Sequence, residues 1–199
     1  MNLNFKHAKI NNKKGEKGLS LIESAMVLAL AATVTAGVMF YYQSASDSNK
    51  TQAAISEVMS ATSAINGLYI GQSSYDNLDA SILVNSSAIP DNYKKSNKIM
   101  NPFGGDLEVA AAASGASYGY TLTLTQLPKS ACISLATLNL GTSAAGYGIN
   151  KEVSASTKVN IDTSFNGNKT KSTAIAPSEA AGTNGCTNNS SNKVTYFMK

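Results

Sequence analysis

The sequence predicts an α+β protein in which one long N-terminal helix packs on an antiparallel β-sheet. Three observations support this fold. An apolar stretch near the N-terminus continues into a segment whose apolar residues recur at helical spacing. Strand-like alternation recurs toward the C-terminus, and two cysteines mark the ends of a C-terminal region. With 199 residues and 43% hydrophobic side chains, the chain has enough material for one globular body and an appended helix.

The long helix is expected to begin at Leu19 and to end near Gly67 and Gly71. Residues 19–42 form its apolar half, which at 1.5 Å per residue spans about 36 Å and exceeds the ~30 Å hydrocarbon core of a membrane. We expect this half to project from the body. Residues 43–71 form an amphipathic half, which is expected to pack on the body. Its stripe contains Ile55, Val58, Met59, Thr62, Ile65, Leu68 and Tyr69.

The excess positive charge of the chain lies in the first 18 residues. That segment holds five lysines and one acid, whereas residues 19–199 hold 11 lysines and 11 acids. Basic residues before a membrane segment stay in the cytoplasm, so the chain after residue 42 should lie outside it. The sequence has no arginine, the residue best suited to gripping phosphates and reading bases, which argues against nucleic-acid binding.

Glu23 interrupts the apolar run, where an unpaired carboxylate is costly. The run is compatible with a secretory signal peptide cleaved near residues 34–36, with an uncleaved anchor, or with cleavage between Gly18 and Leu19. The third interpretation leaves an α-amino group at Leu19, one helical turn from the carboxylate. It therefore gives the glutamate a partner.

The residues around this proposed cleavage point resemble those of type IV prepilins. The match comprises a basic leader that ends in Gly18, a hydrophobic residue at position 19 and glutamate at the fifth position after the cut. The 18-residue leader and Leu19 are similar to those of the type IVb subgroup. The stretch 20–50 and the segments NPFGG, SLATLNLGTSA and KVTYFMK are similar to those of its bundle-forming members. Many pilins have a proline within the long helix, whereas residues 19–89 of this chain contain none.

The resemblance implies a processing and assembly pathway. Residues 1–18 would be a leader that a prepilin peptidase and methyltransferase removes after Gly18 in the inner membrane, with N-methylation of Leu19. Pilus assembly machinery would then polymerise the chain. Glu23 would pair with the Leu19 ammonium group of the preceding subunit and so favour one docking register. The simpler alternative is that Glu23 only complements the helix dipole.

The resemblance also implies a function. The chain would be the major structural subunit of a type IVb pilus rather than an enzyme. Its body would lie in the periplasm before assembly and in an extracellular pilus afterwards. Filaments would associate with neighbouring pili and support bacterial aggregation and adherence. Two alternatives stay open: a minor pilin or type II secretion pseudopilin, and a signal-anchored secreted enzyme.

The secondary-structure patterns in the body, residues 72–199, are weaker than those of the long helix. Residues 72–101 contain many polar breakers and predict loops with at most one short helix, around 78–83. Alternation in residues 118–125 predicts a half-buried strand, and residues 194–198 predict another. A helix is expected to follow Pro128 and to stop by Gly141, with its buried face formed by Cys132, Leu135 and Leu138 and with Ile133 at its margin.

Cys132 and Cys186 predict a disulfide, because an isolated cysteine pair in an exported chain lacks the further ligands of a metal site. Pilins have a similar cysteine-bounded region, and the resemblance assigns it a role in surface and subunit contacts. The only histidine is His7, within the expected leader, so the remaining chain has no imidazole for a catalytic triad. We expect no metal and no cofactor. The acid pairs Asp76 and Asp79, and Asp106 and Glu108, are interpreted as solvated turn residues.

Overall fold

The computed structural model describes residues 20–87, 89–154 and 156–199. Two units are distinguished, one that ends at Gln43 and one that spans Ser44–Lys199. Helix α1, Leu21–Leu68, supplies residues to both. The predicted start of the helix at Leu19 lies outside the described residues, whereas its predicted end is confirmed.

The first unit is described from Ser20 and consists of the N-terminal part of α1. Its large apolar side chains are 61% to 87% exposed. They are Leu21, Ile22, Met26, Val27, Leu28, Leu30, Val34, Val38, Met39, Phe40, Tyr41 and Tyr42. By length and composition the helix could cross a membrane.

The second unit contains a seven-stranded sheet in which all neighbouring strands are antiparallel. The strands follow the spatial order β1-β2-β3-β4-β7-β5-β6. The C-terminal strand therefore lies in the middle, between β4 and β5. This arrangement confirms the predicted fold class. The strands are β1 Lys94–Lys95, β2 Lys98–Met100, β3 Asp106–Ala111, β4 Tyr120–Leu127, β5 Ala144–Ile149, β6 Thr170–Lys171 and β7 Asn192–Met198.

Short helices connect these strands. They are α2 Ala80–Val84, α3 Lys129–Ala136 and α4 Pro177–Ala180, with 3₁₀ turns at Asp91–Tyr93 and Gly141–Ser143. The short helix predicted around 78–83 corresponds to α2. Two strands, β1 and β2, occupy a stretch for which the sequence predicts loop. Helix α3 ends at Ala136 and does not reach Leu138, although Cys132 and Leu135 are buried as predicted.

Of the four acids predicted to lie in solvated turns, Asp76 is an exposed turn residue, as predicted, and the other three have other positions. The Asp79 carboxylate caps α2 by accepting hydrogen bonds from the backbone N–H groups of Ser81 at 2.8 Å and Ile82 at 3.3 Å. Asp106 and Glu108 lie on β3 rather than in a turn, and Asp106 pairs with Lys98 at 3.0 Å. Their interpretation as turn acids was therefore wrong.

The buried face of α1 overlaps the predicted stripe only in part. The buried apolar residues are Ala54, Val58, Ala61 and Ile65, which share a core cluster with β4 and β7. Met59 and Leu68, both in the predicted stripe, are 59% and 50% exposed. Val58 and Ile65 of the predicted stripe are fully buried, and Ala54 and Ala61 join them because alanine lets a helix approach its neighbour closely.

The opposite face of the sheet is also covered. Tyr118, Val159 and Phe197 form a second apolar cluster there. Beside it, the buried hydroxyls of Thr123 and Thr195 are hydrogen-bonded at 2.9 Å. Strand β4 is consequently buried on both faces, so the prediction of a half-buried strand was wrong in this respect. Its threonines are tolerated inside because their hydroxyls find partners on neighbouring strands.

Candidate assembly surface

Glu23 lies in the first turn of α1, close to the proposed cleavage point. Its Oε2 atom accepts a hydrogen bond from the Ser20 backbone N–H at 3.0 Å. A glutamate that reaches back in this way satisfies one of the free N–H groups at a helix start. Within the described residues, Oε1 accepts no hydrogen bond. Gly18 and Leu19, the predicted cleavage and methylation positions, lie outside the described residues.

Small residues recur along the same exposed segment of α1. They are Ala25, Ala29, Ala32, Ala36 and Gly37, all exposed in the isolated chain. A side chain added at Gly37 would meet no atom within 4 Å. An exposed apolar helix with small residues at this spacing is suited to close packing against other helices in a nonpolar environment.

The second feature is the predicted disulfide, which the structure confirms between Cys132 and Cys186. The Cα atoms are 5.9 Å apart, and the bridge joins positions that are 54 residues apart in sequence. Both cysteines are fully buried. Cys132 lies on α3, and the backbone N–H of Cys186 donates to the carbonyl oxygen of Ala180 at the end of α4 at 2.8 Å. The bridge thus ties the α4 region to α3 and the sheet.

Asn192 fixes the other end of this C-terminal region. Its amide is fully buried at the start of β7, and its Nδ2 donates to the Leu127 carbonyl oxygen at 3.1 Å. Its Oδ1 accepts from the Asn188 backbone N–H at 3.1 Å and from Asn150 Nδ2 at 3.2 Å. A buried amide whose donors and acceptors are used in this way specifies one arrangement of the chain.

Replacing both cysteines by alanine is expected to reduce the free energy of unfolding by about 4 kcal/mol, the chain-entropy value for a loop of this length. Alanine is the appropriate substitute, since a serine hydroxyl at these fully buried positions would add an unpaired polar group. Denaturant titration of the full chain in detergent measures the change. Reduced wild-type protein should unfold at the same denaturant concentration as the variant, and an unchanged midpoint in both would contradict the expectation.

A third feature was missed by the sequence analysis. Glu57 on α1 is only 5% exposed, and neither carboxylate oxygen has a hydrogen-bond partner. It borders a cavity of about 160 Å³ whose other lining residues are Ala53, Ser56, Ser60, Ile89, Pro90 and Tyr93. Burial raises the pKa of Glu57 to about 8. The spacing contained a signal, because Glu57 lies three residues after Ala54 and four before Ala61 on the buried face.

Within the described ranges, no group of three or more His, Cys, Asp or Glu side chains is placed to hold a metal ion. The exposed apolar helix, Glu23, the disulfide-bounded region and the Glu57 cavity are therefore the features that a function must explain.

Comparison with known proteins places these features in a family. Residues 43–199 match the family model named Bundlin. A protein from Escherichia coli O111:H-, described as the major structural subunit of bundle-forming pilus, is 69% identical over 199 residues; the match covers 96% of this chain and 99% of that protein. A second protein with this description, from Escherichia coli O127:H6 (strain E2348/69 / EPEC), is 67% identical over 195 residues, with the same two coverages.

A solved structure supports the fold. The crystal structure of TcpA, a type IV pilin from Vibrio cholerae El Tor biotype, is similar with a TM-score of 0.51 at 15% identity. The match covers 74% of this chain and 98% of that chain. Because the family match spans the whole body and the relatives match almost end to end, the family assignment does not depend on the N-terminal motif. This chain belongs to the Bundlin family and has a type IV pilin fold.

Proposed function

We propose that this chain is the major structural subunit of a bundle-forming type IVb pilus. The observation that carries the proposal is the 69% identity, over nearly the whole length of both chains, to a protein described in those words. The exposed apolar part of α1 supports it, since such a surface needs either lipid or other helices around it. The role is structural rather than catalytic.

The proposed pathway begins with export. The basic leader, residues 1–18, keeps the N-terminus in the cytoplasm, and residues 19–42 hold the chain in the inner membrane. Residues 43–71 and the body, 72–199, then lie on the periplasmic side. A prepilin peptidase cleaves after Gly18 and Leu19 is N-methylated, after which the assembly machinery moves the subunit into an extracellular filament.

Inside the filament the apolar helix exchanges lipid for copies of itself. Glu23 then pairs with the Leu19 ammonium group of the preceding subunit. The pair removes two uncompensated charges from an apolar environment at once, whereas any other register leaves both unpaired. The free Oε1 atom of Glu23 is available for this contact, so the bond to Ser20 need not break.

Intact mass and N-terminal sequencing of protein from sheared surface filaments test the proposal. We expect a chain that starts at N-methylated Leu19 and lacks two hydrogens because of the disulfide. A start at Gly37 or at Met1 would instead indicate a signal peptide or an anchor, and would revive the secreted-enzyme alternative. A correctly processed chain present only in traces in the filaments would indicate a minor pilin or a pseudopilin.

Lateral association of the filaments is expected from the charge balance of the mature chain. Residues 19–199 carry 11 lysines and 11 acids, so filaments should repel one another only weakly. Because screening shortens the range of any residual repulsion, light scattering of purified filaments should rise between low and physiological salt. Filaments that remain singly dispersed, with salt-independent scattering, would contradict a role in bundling and bacterial aggregation.

A further inference from the structure

The Glu57 cavity has a mainly apolar lining, holds one buried carboxyl group and has no occupant from its own subunit. Its volume of about 160 Å³ far exceeds the roughly 10–15 Å³ that one water needs, so the cavity has room for much more than a single water. Ser56 and Ser60 lie on the same helix beside the carboxylate, and their hydroxyls make no hydrogen bond within the described residues. The site therefore holds unused oxygen acceptors, of which the two serine hydroxyls line the cavity and the two buried Glu57 oxygens reach it by rotation of the side chain.

No cation of the same subunit can neutralise Glu57 in the described structure. From the neighbouring segment, Tyr93 is the titratable side chain that lines the cavity. Lys94 follows it but is bound elsewhere, to Asp91 at 2.9 Å and to the Ser86 carbonyl oxygen at 3.0 Å. On α1 itself the nearest lysine is Lys50, seven residues away and thus about 10 Å along the helix axis. No ion pair joins Lys50 to Glu57 in the described structure, and burial alone accounts for the raised pKa of Glu57.

We propose that the Glu57 cavity is a docking site for a lysine side chain of a neighbouring subunit in the filament. The inference rests on the proposed function, since it requires polymerised subunits. It adds a second charged contact to the one at Glu23, in the body rather than in the apolar half of the helix.

The composition of the chain selects lysine as the occupant. The sequence contains no arginine, and its only histidine is in the proposed leader, so lysine supplies every other side-chain cation in a homopolymer. Four lysines of the described chain are engaged in ion pairs: Lys94, Lys98, Lys171 and Lys193. The remaining ones make no ion pair within the described residues and are Lys50, Lys95, Lys129, Lys151, Lys158, Lys169 and Lys199.

The chemistry of the cavity also fits this side chain. An ammonium group can donate three hydrogen bonds, which the two serine hydroxyls and the carboxylate, once its side chain has rotated toward the cavity, can accept. Ala53, Ile89 and Pro90 provide apolar surface for the aliphatic stem, and the Tyr93 ring adds an aromatic group of the kind that attracts cations. A divalent metal fits less well, because a single carboxylate is present where such ions collect several charged oxygens.

Docking changes the protonation of Glu57. In the isolated subunit burial favours the protonated carboxyl group. An adjacent ammonium group favours the carboxylate, so Glu57 releases its proton to solvent as the contact forms. Assembly of this contact is therefore coupled to proton release, and higher pH favours it until the lysine itself begins to lose its proton.

Zero-length crosslinking of wild-type filaments tests the proposal directly. A carbodiimide activates a carboxylate and couples it to an adjacent lysine amine with loss of water, so only groups in contact are joined. We expect mass spectrometry of the crosslinked dimer band to identify a peptide that links Glu57 to a lysine. Glu57→Gln should remove this product, whereas Glu108→Gln, which changes an exposed acid on β3, should leave it unchanged.

The lysine so identified is then replaced by arginine and by glutamine. Arginine keeps the charge but is not coupled by carbodiimide, so the crosslink should disappear while the filaments keep their resistance to heat. Glutamine should remove the crosslink and also lower the temperature at which the filaments dissociate. Dimers in which other carboxylates are crosslinked but Glu57 is not would overturn the inference, as would a Glu57 product confined to the monomer band. Sheared preparations without filaments of this chain would instead contradict the proposed function.

Discussion

Glu57→Gln is expected to make the detached subunit more stable than wild type at pH 9 and to change its stability little at pH 4. Burial raises the pKa of Glu57 from 4.5 to about 8, so above pH 4.5 the folded chain retains a proton that the unfolded chain loses. The wild-type free energy of unfolding should therefore fall as the pH rises from 4.5 to 8 and level off above. At about 1.36 kcal/mol per pKa unit, the loss approaches 5 kcal/mol.

The measurement is the difference in unfolding free energy between variant and wild type, followed across this pH range with the full chain in detergent. Glutamine leaves a buried polar group without a partner, as the protonated glutamic acid of wild type also does, so this cost largely cancels between the two proteins at pH 4. Glu108→Gln is the matched control, because its side chain is exposed and its difference from wild type should not depend on pH in this way. Parallel curves for Glu57→Gln and wild type would show that the carboxyl group is not buried as described.

The same residue illustrates what the sequence could and could not predict. The end of α1 was predictable because glycines follow a long uninterrupted helical pattern, and β7 was predictable from its alternation of β-branched and aromatic residues. The rotation of α1 on the sheet was not. Val58 and Ile65 belong to both the predicted stripe and the buried face, but the stripe extended to Met59, whereas the buried face includes Ala54 and Ala61 and carries Glu57 inward with them. Glutamate is rarely buried, so a sequence pattern would place Glu57 on the exposed face of the helix.

Strands β3 and β5 were missed for different physical reasons. In β3 the alternation is short, and the acidic residues Asp106 and Glu108 are more typical of turns than of strands. Strand β5 is built from alanine and glycine, which have weak strand preferences, and it forms through its pairing with β7. A side chain at Gly146 would collide with Ile161 and with the Lys171 carbonyl oxygen, so close packing requires glycine there. Tertiary context of this kind is invisible in a local pattern.

The disulfide and Glu23 were accessible to sequence reasoning because each depends on few residues. Two cysteines in an exported chain allow only one intramolecular pairing, and that pairing is present. A carboxylate in an apolar run is costly without a partner, so the amino-acid pattern alone indicates that Glu23 needs one. The described structure supplies the Ser20 N–H as a local partner for one oxygen of Glu23. The proposed partner, the Leu19 ammonium group of another subunit, remains a prediction.

Glu23→Val is expected to leave export and cleavage intact but to stop assembly. Valine suits the apolar segment, so the processed chain should accumulate in the membrane with Leu19 at its N-terminus. Removing one partner of a buried ion pair costs about 3–5 kcal/mol, and the loss recurs at every subunit. At a factor of ten per about 1.4 kcal/mol, the chain recovered in sheared filaments should fall at least a hundredfold relative to wild type. Thr33→Val, in the same exposed segment, should assemble normally.

Glu23→Gln separates the two explanations of this residue. Glutamine keeps an oxygen that can accept from the Ser20 N–H, so it preserves the local contact at the start of α1 while removing the charge. If Glu23 acts only on its own helix, the glutamine variant should assemble much as wild type, because loss of the favourable charge–dipole interaction costs only about 0.3–1 kcal/mol. If it pairs with the ammonium group of the preceding subunit, glutamine should fail almost as completely as valine. Normal filaments from the valine variant would exclude the docking role altogether.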